Sequence, residues 1–232
     1  MYERIKLYLR ILTPKLIRRV SLKKKIKQKV IKNDKIKIIL GVSSTYFKDW
    51  LSTEQDILDI TKANDWKKIF GDIKVDNILA EHVFEHLTEE EAKAAFLNLS
   101  KYLKKGGVFR FAVPDGYHPS RYLRSLIGIN GIEKGADDHK IYFNINNVKD
   151  FIQNLDFETY PIEFFDSKGH FHQEKFDLAN GFVKRCSAYN KGRFDNKEEY
   201  SRMINSVEKN LRSQFEKMKY PSTSLFVDFL KK

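Results

Sequence analysis

Cysteine and long apolar runs are scarce in this sequence, and each shortage excludes a class of protein. The single cysteine, Cys186, cannot form an intramolecular disulfide, and there is no cysteine pair for a zinc knuckle. No run of about 18 apolar residues occurs, so the sequence predicts no membrane-spanning helix. The N-terminal residues also lack the uncharged core of a secretory signal. We therefore expect a cytoplasmic protein in a reducing compartment.

Positive charge is abundant, and it is concentrated at the N-terminus. The formal net charge of the 232 residues is +12. Residues 1–37 contain 14 Lys and Arg against 2 Asp and Glu, so the remaining residues contain 29 of each sign and are neutral. A neutral body does not favour binding along a nucleic-acid backbone, and no nucleic-acid-binding motif accompanies it. We predict no nucleic-acid partner for the body.

Residues 1–34 are predicted to form a basic amphipathic arm. Apolar residues recur at helical spacing, with Arg and Lys between them, at Ile5, Leu9, Leu12 and Leu16. Pro14 predicts a kink or a break in that helix. Three interpretations stay open: a helix packed on the body, a helix lying on an anionic membrane through residues 1–32, and an RNA contact.

Beyond the arm, the sequence alternates strands and helices in the manner of an α/β domain. Apolar runs predict buried strands at "KIKIILG", ending at Gly41, at "KVDNILAEH" and at "VFRFAVPD". Thr88 and Glu91 form a capping box that begins a helix between the last two of these strands. A helix between two continuously apolar strands predicts a parallel βαβ unit. "WLSTEQDILDI" offers two short extended pieces, around Glu54 and Asp59.

The C-terminal third predicts further elements and an insertion. "NINNVKDFIQNLDF" is typical of a helix, whereas "FETYPIEFFD" and "STSLFVDFL" are typical of strands. Between those strands, at about residues 169–221, lies a polar and charge-rich insertion in which "KEEYSRMINSVEKNLRSQFEKMK" predicts a helix. We therefore expect one domain over residues 35–232.

The stretch "ILAEHVFEHL" contains His82-x-x-Glu85-His86, the spacing of the inverted zinc peptidases. In those enzymes both histidines face one metal from a single helix. Here the helix begins at Thr88, after His86, so the motif spans the turn that leaves a strand. A zinc hydrolase is therefore the lesser alternative, and we predict no metal-binding residues.

The segment "DNILAEHVFEHLTEEEAKAAFLNLSKYLKKGGVFRFAVPD" resembles the second half of a class I S-adenosylmethionine-dependent methyltransferase. The motifs "AEHVFEHL", "VPDGYHP", "GADDHK" and "TSLFVDFLKK" are similar to those of a bacterial subgroup of predicted methyltransferases, and the resemblance covers about residues 36–232. It implies a Rossmann-like three-layer α/β sandwich with a mostly parallel sheet and an antiparallel C-terminal strand. It also implies S-adenosylmethionine as cofactor and O-methylation of a glycan, glycolipid or small-molecule hydroxyl, in surface-polysaccharide synthesis at the inner membrane.

The same resemblance assigns cofactor-binding residues by their position after the strands. Glu54 would accept hydrogen bonds from the ribose hydroxyls, and Asp59 would hold the adenine amino group. Glu81 and His82 would lie beside the methionine part. In the turn after the first strand, Gly41 would contact the cofactor.

That turn contains only one of the several glycines usual in the superfamily. Ser43, whose hydroxyl can donate a hydrogen bond to the cofactor carboxylate, follows Gly41 instead. Because glycine alone accepts some turn conformations, the missing glycines are the reason for keeping an alternative function beside the methyltransferase. In that alternative the chain is a non-catalytic binding protein on the same fold, with Tyr46 or Phe47 filling the cofactor volume.

Methyl transfer to a hydroxyl also needs a base, usually a histidine or a carboxylate. The candidates follow the strands in "PDGYHP", "GADDHK" and "GHFH". We predict His118 or His139 as the base and Asp115 as a further catalytic residue. A divalent metal held by Asp and His groups of these segments is the alternative.

Overall fold

A computed structural model of the chain describes residues 2–41, 47–181, 183, 197–218 and 224–232, with the backbone alone described for residues 2–13 and 217. The helices are α1 (Tyr2–Ile31), α2 (Ala63–Phe70), α3 (Glu89–Tyr102), α4 (Arg121–Ile127), α5 (Lys197–Asn205) and α6 (Ser213–Lys217). The strands are β1 (Lys37–Leu40), β2 (Trp50–Thr53), β3 (Val75–Glu81), β4 (Leu103–Pro114), β5 (Phe157–Phe165), β6 (Phe171–Gln173) and β7 (Ser224–Lys231). Short 3-10 turns lie at Phe84–His86, Asn147–Phe151, Leu178–Asn180 and Lys209–Leu211.

The seven strands form one sheet in the order β2-β1-β3-β4-β7-β5-β6. Strands β2, β1, β3 and β4 are parallel, and β7 is antiparallel to both β4 and β5. The predicted fold class, a Rossmann-like α/β sandwich with a mostly parallel sheet and an antiparallel C-terminal strand, is confirmed. Because β1 lies between β2 and β3, the strand order reverses there, and open α/β sheets bind ligands at such a switch point.

Alternate residues of the central strands enter different apolar clusters, so the sheet is buried on both faces. Ile38 and Ile78 belong to the large cluster, which includes residues of α1, α2 and α3. Ile39 and Leu79 belong to a second cluster, which is covered by Trp50, Phe47, Phe176 and Val183. The second outer layer is therefore formed in part by the segment around the 3-10 turn Leu178–Asn180.

A buried ion pair joins β4 to β7 on that second face. Arg110 is fully buried and lies opposite Asp228 in the antiparallel register. Its guanidinium donates to both carboxylate oxygens of Asp228, at 2.8 and 2.7 Å, and to the carbonyl of Gly181. The rings of Phe176 and Phe226 each lie 5.0 Å from the guanidinium carbon. One side chain thus holds two strands and the covering segment together.

Helix α1 continues through Pro14, so the predicted break is absent. The second half of α1 packs on the rest of the domain. Leu22 and Ile26 are buried in the large cluster. Arg19 donates to the carbonyl of Ile57 and to the carboxylate of Asp65 in α2, at 2.8 and 2.6 Å. Within the part of the chain that the structure describes, no helix combines the length and apolarity needed to cross a bilayer.

Two extended pieces are predicted around Glu54 and Asp59, and only the first forms a strand, β2, just before Glu54. β2 ends at Thr53, and the chain then turns, because the carbonyl of Glu54 accepts hydrogen bonds from the amides of Ile57 and Leu58. Asp59 closes a second turn by accepting bonds from the amide and hydroxyl of Thr61. Local side-chain bonding of this kind competes successfully with strand formation.

Two predicted helices are shorter than expected. Only the 3-10 turn Asn147–Phe151 forms in the first, where the side chain of Asn144 accepts bonds from the next residues' amides. The second is divided into α5, a 3-10 turn and α6. It breaks at Ser206, whose hydroxyl bonds the hydroxyl of Ser120 and the amide of Tyr122. The three pieces of this second helix pack with α4 and Phe165 in a third apolar cluster. The predicted boundaries of the arm, domain and insertion stay predictions.

Candidate functional site

A cleft of about 380 Å³ opens at the carboxyl ends of β1, β2 and β3, at the switch point of the sheet. This volume lies within the range of small-molecule sites, roughly 300–1,000 Å³. Four of the residues predicted to bind the cofactor line it, namely Gly41, Glu54, Asp59 and His82. Its other walls include His86, which precedes α3, Glu91 in the first turn of α3, and Asp138 and Lys140 from the loop before β5.

The backbone at the base of the cleft is tightly constrained. Gly41 has φ +64°, and a Cβ atom built there would lie 2.5 Å from the side chain of Val83. A side chain at position 41 would therefore be strained and would clash with the turn after β3. His82 also has a positive φ of +54°, a conformation uncommon for residues other than glycine, and its amide donates to the carbonyl of Ala112. Such conformations are concentrated at functional sites.

Glu54 follows β2 directly, and the end of that strand brings its carboxylate to the cleft wall. Burial and the neighbouring Asp56 raise the pKa of Glu54 above its ordinary value, against the lowering effect of Arg18. Arg18 of α1 is itself paired with Asp56. The carboxylate is therefore a partly desolvated acceptor, which suits hydrogen bonds from neutral hydroxyls.

Asp59 both shapes the cleft and lines it. Its oxygens accept bonds from Thr61 and from the ammonium of Lys62, the latter at 2.7 Å. Burial raises the pKa of Asp59, but these hydrogen bonds outweigh burial and lower that pKa below its ordinary value. A carboxylate has about four acceptor positions, so Asp59 can still accept a bond from a ligand.

The turn "EHVFEH" places His82, which lines the cleft, beside the buried carboxylate of Glu85. Nδ1 of His82 lies 3.0 Å from Oε1 of Glu85, which is 1% exposed, whereas a third of the His82 side chain is exposed. His86 lies in the 3-10 turn Phe84–His86 and His82 precedes that turn, so the two histidines of the zinc-peptidase spacing do not share a helix. The capping box of Thr88 and Glu91 then begins α3 as predicted.

A second histidine lies further along the same wall. Nδ1 of His86 is 2.7 Å from a carboxylate oxygen of Asp138, and the His86 ring packs edge-on against His139. Nδ1 of His139 lies 2.8 Å from the carbonyl of Ile127 at the end of α4. The predicted base His139 is thus brought next to the cleft, behind His86.

Asp115 and His118, the other predicted catalytic residues, are placed elsewhere. Asp115 is fully buried, and its two oxygens accept bonds from the amides of Phe165 and Tyr117, at 2.7 and 2.9 Å. His118 packs against Phe165 and Phe215, and its Nδ1 accepts a bond from the amide of Ser120. Neither residue lines the cleft, and their contacts tie the end of β4 to the end of β5.

The buried carboxyl of Asp115 should make stability depend on pH. Burial raises the pKa of Asp115 to about 7, although the bonds from Phe165 and Tyr117 oppose the shift. A raised folded-state pKa stabilises the fold at acid pH, and this contribution is lost as the pH rises from about 4 through about 7. Asp115→Asn, which does not titrate, should lack the decline. In urea unfolding across that range, the wild type should lose stability relative to the variant as the pH rises, and parallel curves would contradict this role.

The other positions predicted around the cofactor are Ser43, Tyr46, Phe47 and Glu81. Ser43 and Tyr46 lie outside the described residues. Phe47 packs near Trp50 in the cluster on the other face of the sheet, and it is not among the described residues that line the cleft. Glu81 ends β3 and is half-buried beside His82. Sequence reasoning missed the pairing of His86 with Asp138, because those residues come together only through the packing of a distant loop.

The solved structures that this chain resembles include two distant likenesses. The chain matches no protein-family model and gives no match among curated protein sequences. A S-adenosylmethionine-dependent methyltransferase from Archaeoglobus fulgidus is similar in structure with a TM-score of 0.43 and 13% identity, over 92% of this chain and 94% of that one. The YcgJ protein of Bacillus subtilis is similar with a TM-score of 0.34 and 10% identity, over 79% of this chain and 70% of that one. Likeness of this degree carries no conclusion about ligand or reaction.

Proposed function

We propose that the protein is a S-adenosylmethionine-dependent methyltransferase. The observation that carries the proposal is the convergence of Gly41, Glu54 and His82 on one cleft at the switch point of the sheet. Each follows a different parallel strand, and ligands of open α/β sheets bind at that edge. The size of the cleft and the close backbone packing at Gly41 suit a small ligand held against the main chain.

The residues of the cleft have chemistry that fits the parts of such a cofactor. Glu54 is a partly buried acceptor for the two ribose hydroxyls. Asp59 and the turn it holds would receive the adenine. Glu81, His82 and the backbone at Gly41 would lie beside the methionine part. The bound cofactor supplies a methyl group already activated on a sulfonium.

Within this proposal, the protein must align the acceptor and take a proton from it. We assign the base to His82, because it lines the cleft and is held by the buried Glu85. A histidine oriented by a carboxylate is a common general base for a hydroxyl acceptor. The acceptor class we propose is a hydroxyl of a glycan, a glycolipid or a small molecule.

The alternative, a binding protein without cofactor, is tested by mass spectrometry of the denatured protein. The proposal expects S-adenosylmethionine or its demethylated product to be released from freshly purified full-length protein, and a Gly41→Val sample should release neither. The position of Phe47 outside the cleft lining favours this outcome. Absence of both compounds from wild-type samples, even after incubation with the cofactor, would favour the alternative.

We further propose that α1 brings this site to an anionic membrane. Val20 and Leu22 are two positions apart and lie on nearly opposite sides of the helix, since each residue advances about 100°. Leu22 is buried, whereas Leu16, Ile17 and Val20 are 57–62% exposed. Exposed lysines follow them along the helix. An apolar and basic surface opposite the packed side suits an interfacial helix.

The variant Leu16→Ser/Ile17→Ser/Val20→Ser should lose binding to anionic vesicles while keeping Leu22 and Ile26 in the core. Each inserted side chain contributes on the order of 1 kcal/mol, so we expect at least a roughly tenfold weaker partition. Co-sedimentation with anionic and neutral vesicles, at low and high salt, measures it.

A matched control replaces three exposed residues elsewhere, as Leu97→Ser/Ile129→Ser/Ile132→Ser, and should bind as the wild type does. Binding should also weaken with salt because of screening. Equal pelleting of both triple variants, or no preference for anionic lipid, would contradict membrane contact.

A further inference from the structure

Three potential metal ligands converge behind the cleft wall, and the proposed methyltransferase role uses none of them as a ligand. One ligand atom from each of Glu85, His86 and His139 lies within 4.8 Å of the other two. Glu85 and His139 are buried and His86 is partly exposed. Two histidines and one carboxylate are a ligand set found in zinc and other divalent-metal sites.

The hydrogen bonds of the two histidines fix which ring nitrogen carries a proton. A backbone carbonyl can only accept, so Nδ1 of His139 must donate to Ile127. Nδ1 of His86 faces the carboxylate of Asp138 and likewise donates. In each neutral imidazole the lone pair is therefore on Nε2. Metal-binding histidines are typically oriented in this way, with the second nitrogen donating to a carboxylate or a carbonyl.

Glu85 provides an independent sign of a missing partner. Its side chain is 1% exposed, and Oε1 is 3.0 Å from His82. The other oxygen, Oε2, is buried and has no hydrogen-bond partner among the described residues. A buried carboxylate oxygen without a partner is energetically costly, and a cation beside it would remove that cost.

The cluster is also held in place by main-chain contacts. The carbonyl of Glu85 accepts hydrogen bonds from the amides of Lys140 and Ile141, at 2.7 and 3.2 Å. These bonds attach the loop that carries His139 to the turn that carries Glu85 and His86. The ligands therefore come from two segments whose backbones are already joined.

We propose that Glu85, His86 and His139 bind a divalent cation of the zinc class, with Asp138, Ile127 and His82 as the groups that orient the ligands. Tetrahedral zinc with bonds of about 2.0–2.2 Å separates its ligand atoms by roughly 3.3–3.6 Å. Since the three ligand atoms lie within 4.8 Å of one another, the cluster needs to contract by no more than about 1.5 Å. His86 is the member of the set that lines the cleft, so the proposed ion would lie next to the cleft. This site departs from the prediction of no metal, and it does not depend on the proposed methyl transfer.

The test is titration of chelator-treated full-length protein with zinc chloride, in the absence of S-adenosylmethionine, by calorimetry with elemental analysis. The wild type should bind one zinc ion per chain. His86→Ala and His139→Ala should lose that ion, and Asp138→Ala should weaken its affinity by about 10- to 100-fold. His86 is a third exposed, so its variant keeps the proposal testable even if His139→Ala fails to fold.

The matched control is His170→Ala/His172→Ala, which removes two exposed histidines that share Asp166. It should keep the zinc ion with unchanged affinity. Three results would each overturn the proposal: no zinc bound by the wild type, zinc retained by His86→Ala, or zinc lost only from the control variant. The zinc titration contains no S-adenosylmethionine, so its result is independent of the methyltransferase proposal. A protein that binds zinc but not S-adenosylmethionine would contradict the methyltransferase proposal and still support the zinc site.

Discussion

The Glu54→Ala variant should bind S-adenosylmethionine roughly ten- to a hundredfold more weakly than the wild type. Hydrogen bonds to a charged group contribute about 1.5–3 kcal/mol, and each 1.4 kcal/mol is tenfold in the dissociation constant. Glu54 lines the cleft directly after β2, where the ribose hydroxyls are expected. Calorimetry of both proteins with the same ligand measures the difference.

Two further variants sharpen this measurement. Glu90→Ala removes an exposed carboxylate of α3 that does not line the cleft, and it should leave affinity unchanged. Glu54→Gln keeps the size of the side chain and should give an intermediate loss. Because the pKa of Glu54 is raised, wild-type affinity should also fall on acidification earlier than an ordinary carboxylate would predict. Equal affinities for Glu54→Ala and Glu90→Ala would remove Glu54 from the site.

Replacing Asp228 by alanine should lower the free energy of unfolding by about 3–5 kcal/mol, because it leaves the fully buried Arg110 without its counter-charge. The bidentate pair spans β4 and β7, and Arg110 also donates to Gly181 of the covering segment. Most domains are stable by only about 5–15 kcal/mol, so this loss should shift the urea midpoint strongly.

An ion pair with an exposed carboxylate provides the control. Asp156 is 81% exposed and lies 3.4 Å from Lys231 at the end of β7, and such pairs contribute about 0–1 kcal/mol. Asp156→Ala should therefore be nearly neutral. The double variant Arg110→Met/Asp228→Leu should recover much of the stability lost by Asp228→Ala, since no charge stays buried. Similar losses in Asp156→Ala and Asp228→Ala would contradict the account of the buried pair.

Local signals predicted much of the fold. Thr88 and Glu91 are three residues apart, so their capping box is visible in sequence and is confirmed. The apolar runs at β1, β3 and β4 are continuous because both faces of the sheet are covered, which is why they read as buried parallel strands. Glu54 and His82 each follow one of the parallel strands, so the sequence was enough to predict that they lie at the same edge of the sheet.

Features that depend on distant partners could not be predicted in this way. The break in the insertion helix at Ser206 comes from its bonds to Ser120 and Tyr122. The pairing of Arg110 with Asp228 requires the register of two strands far apart in the chain. The cluster of Glu85, His86 and His139 likewise requires a long-range contact. Asp115 and His118 also follow a strand, but both are buried and accept hydrogen bonds from backbone amides.

The central claim is that the cleft at the ends of β1, β2 and β3 binds S-adenosylmethionine. Calorimetric titration of the full-length protein with S-adenosylhomocysteine, the stable demethylated product, tests it most directly. The account predicts saturable binding of one molecule per chain, accompanied by an increase in melting temperature. No heat of binding and no thermal shift at millimolar ligand, from protein shown to be folded by circular dichroism, would contradict it.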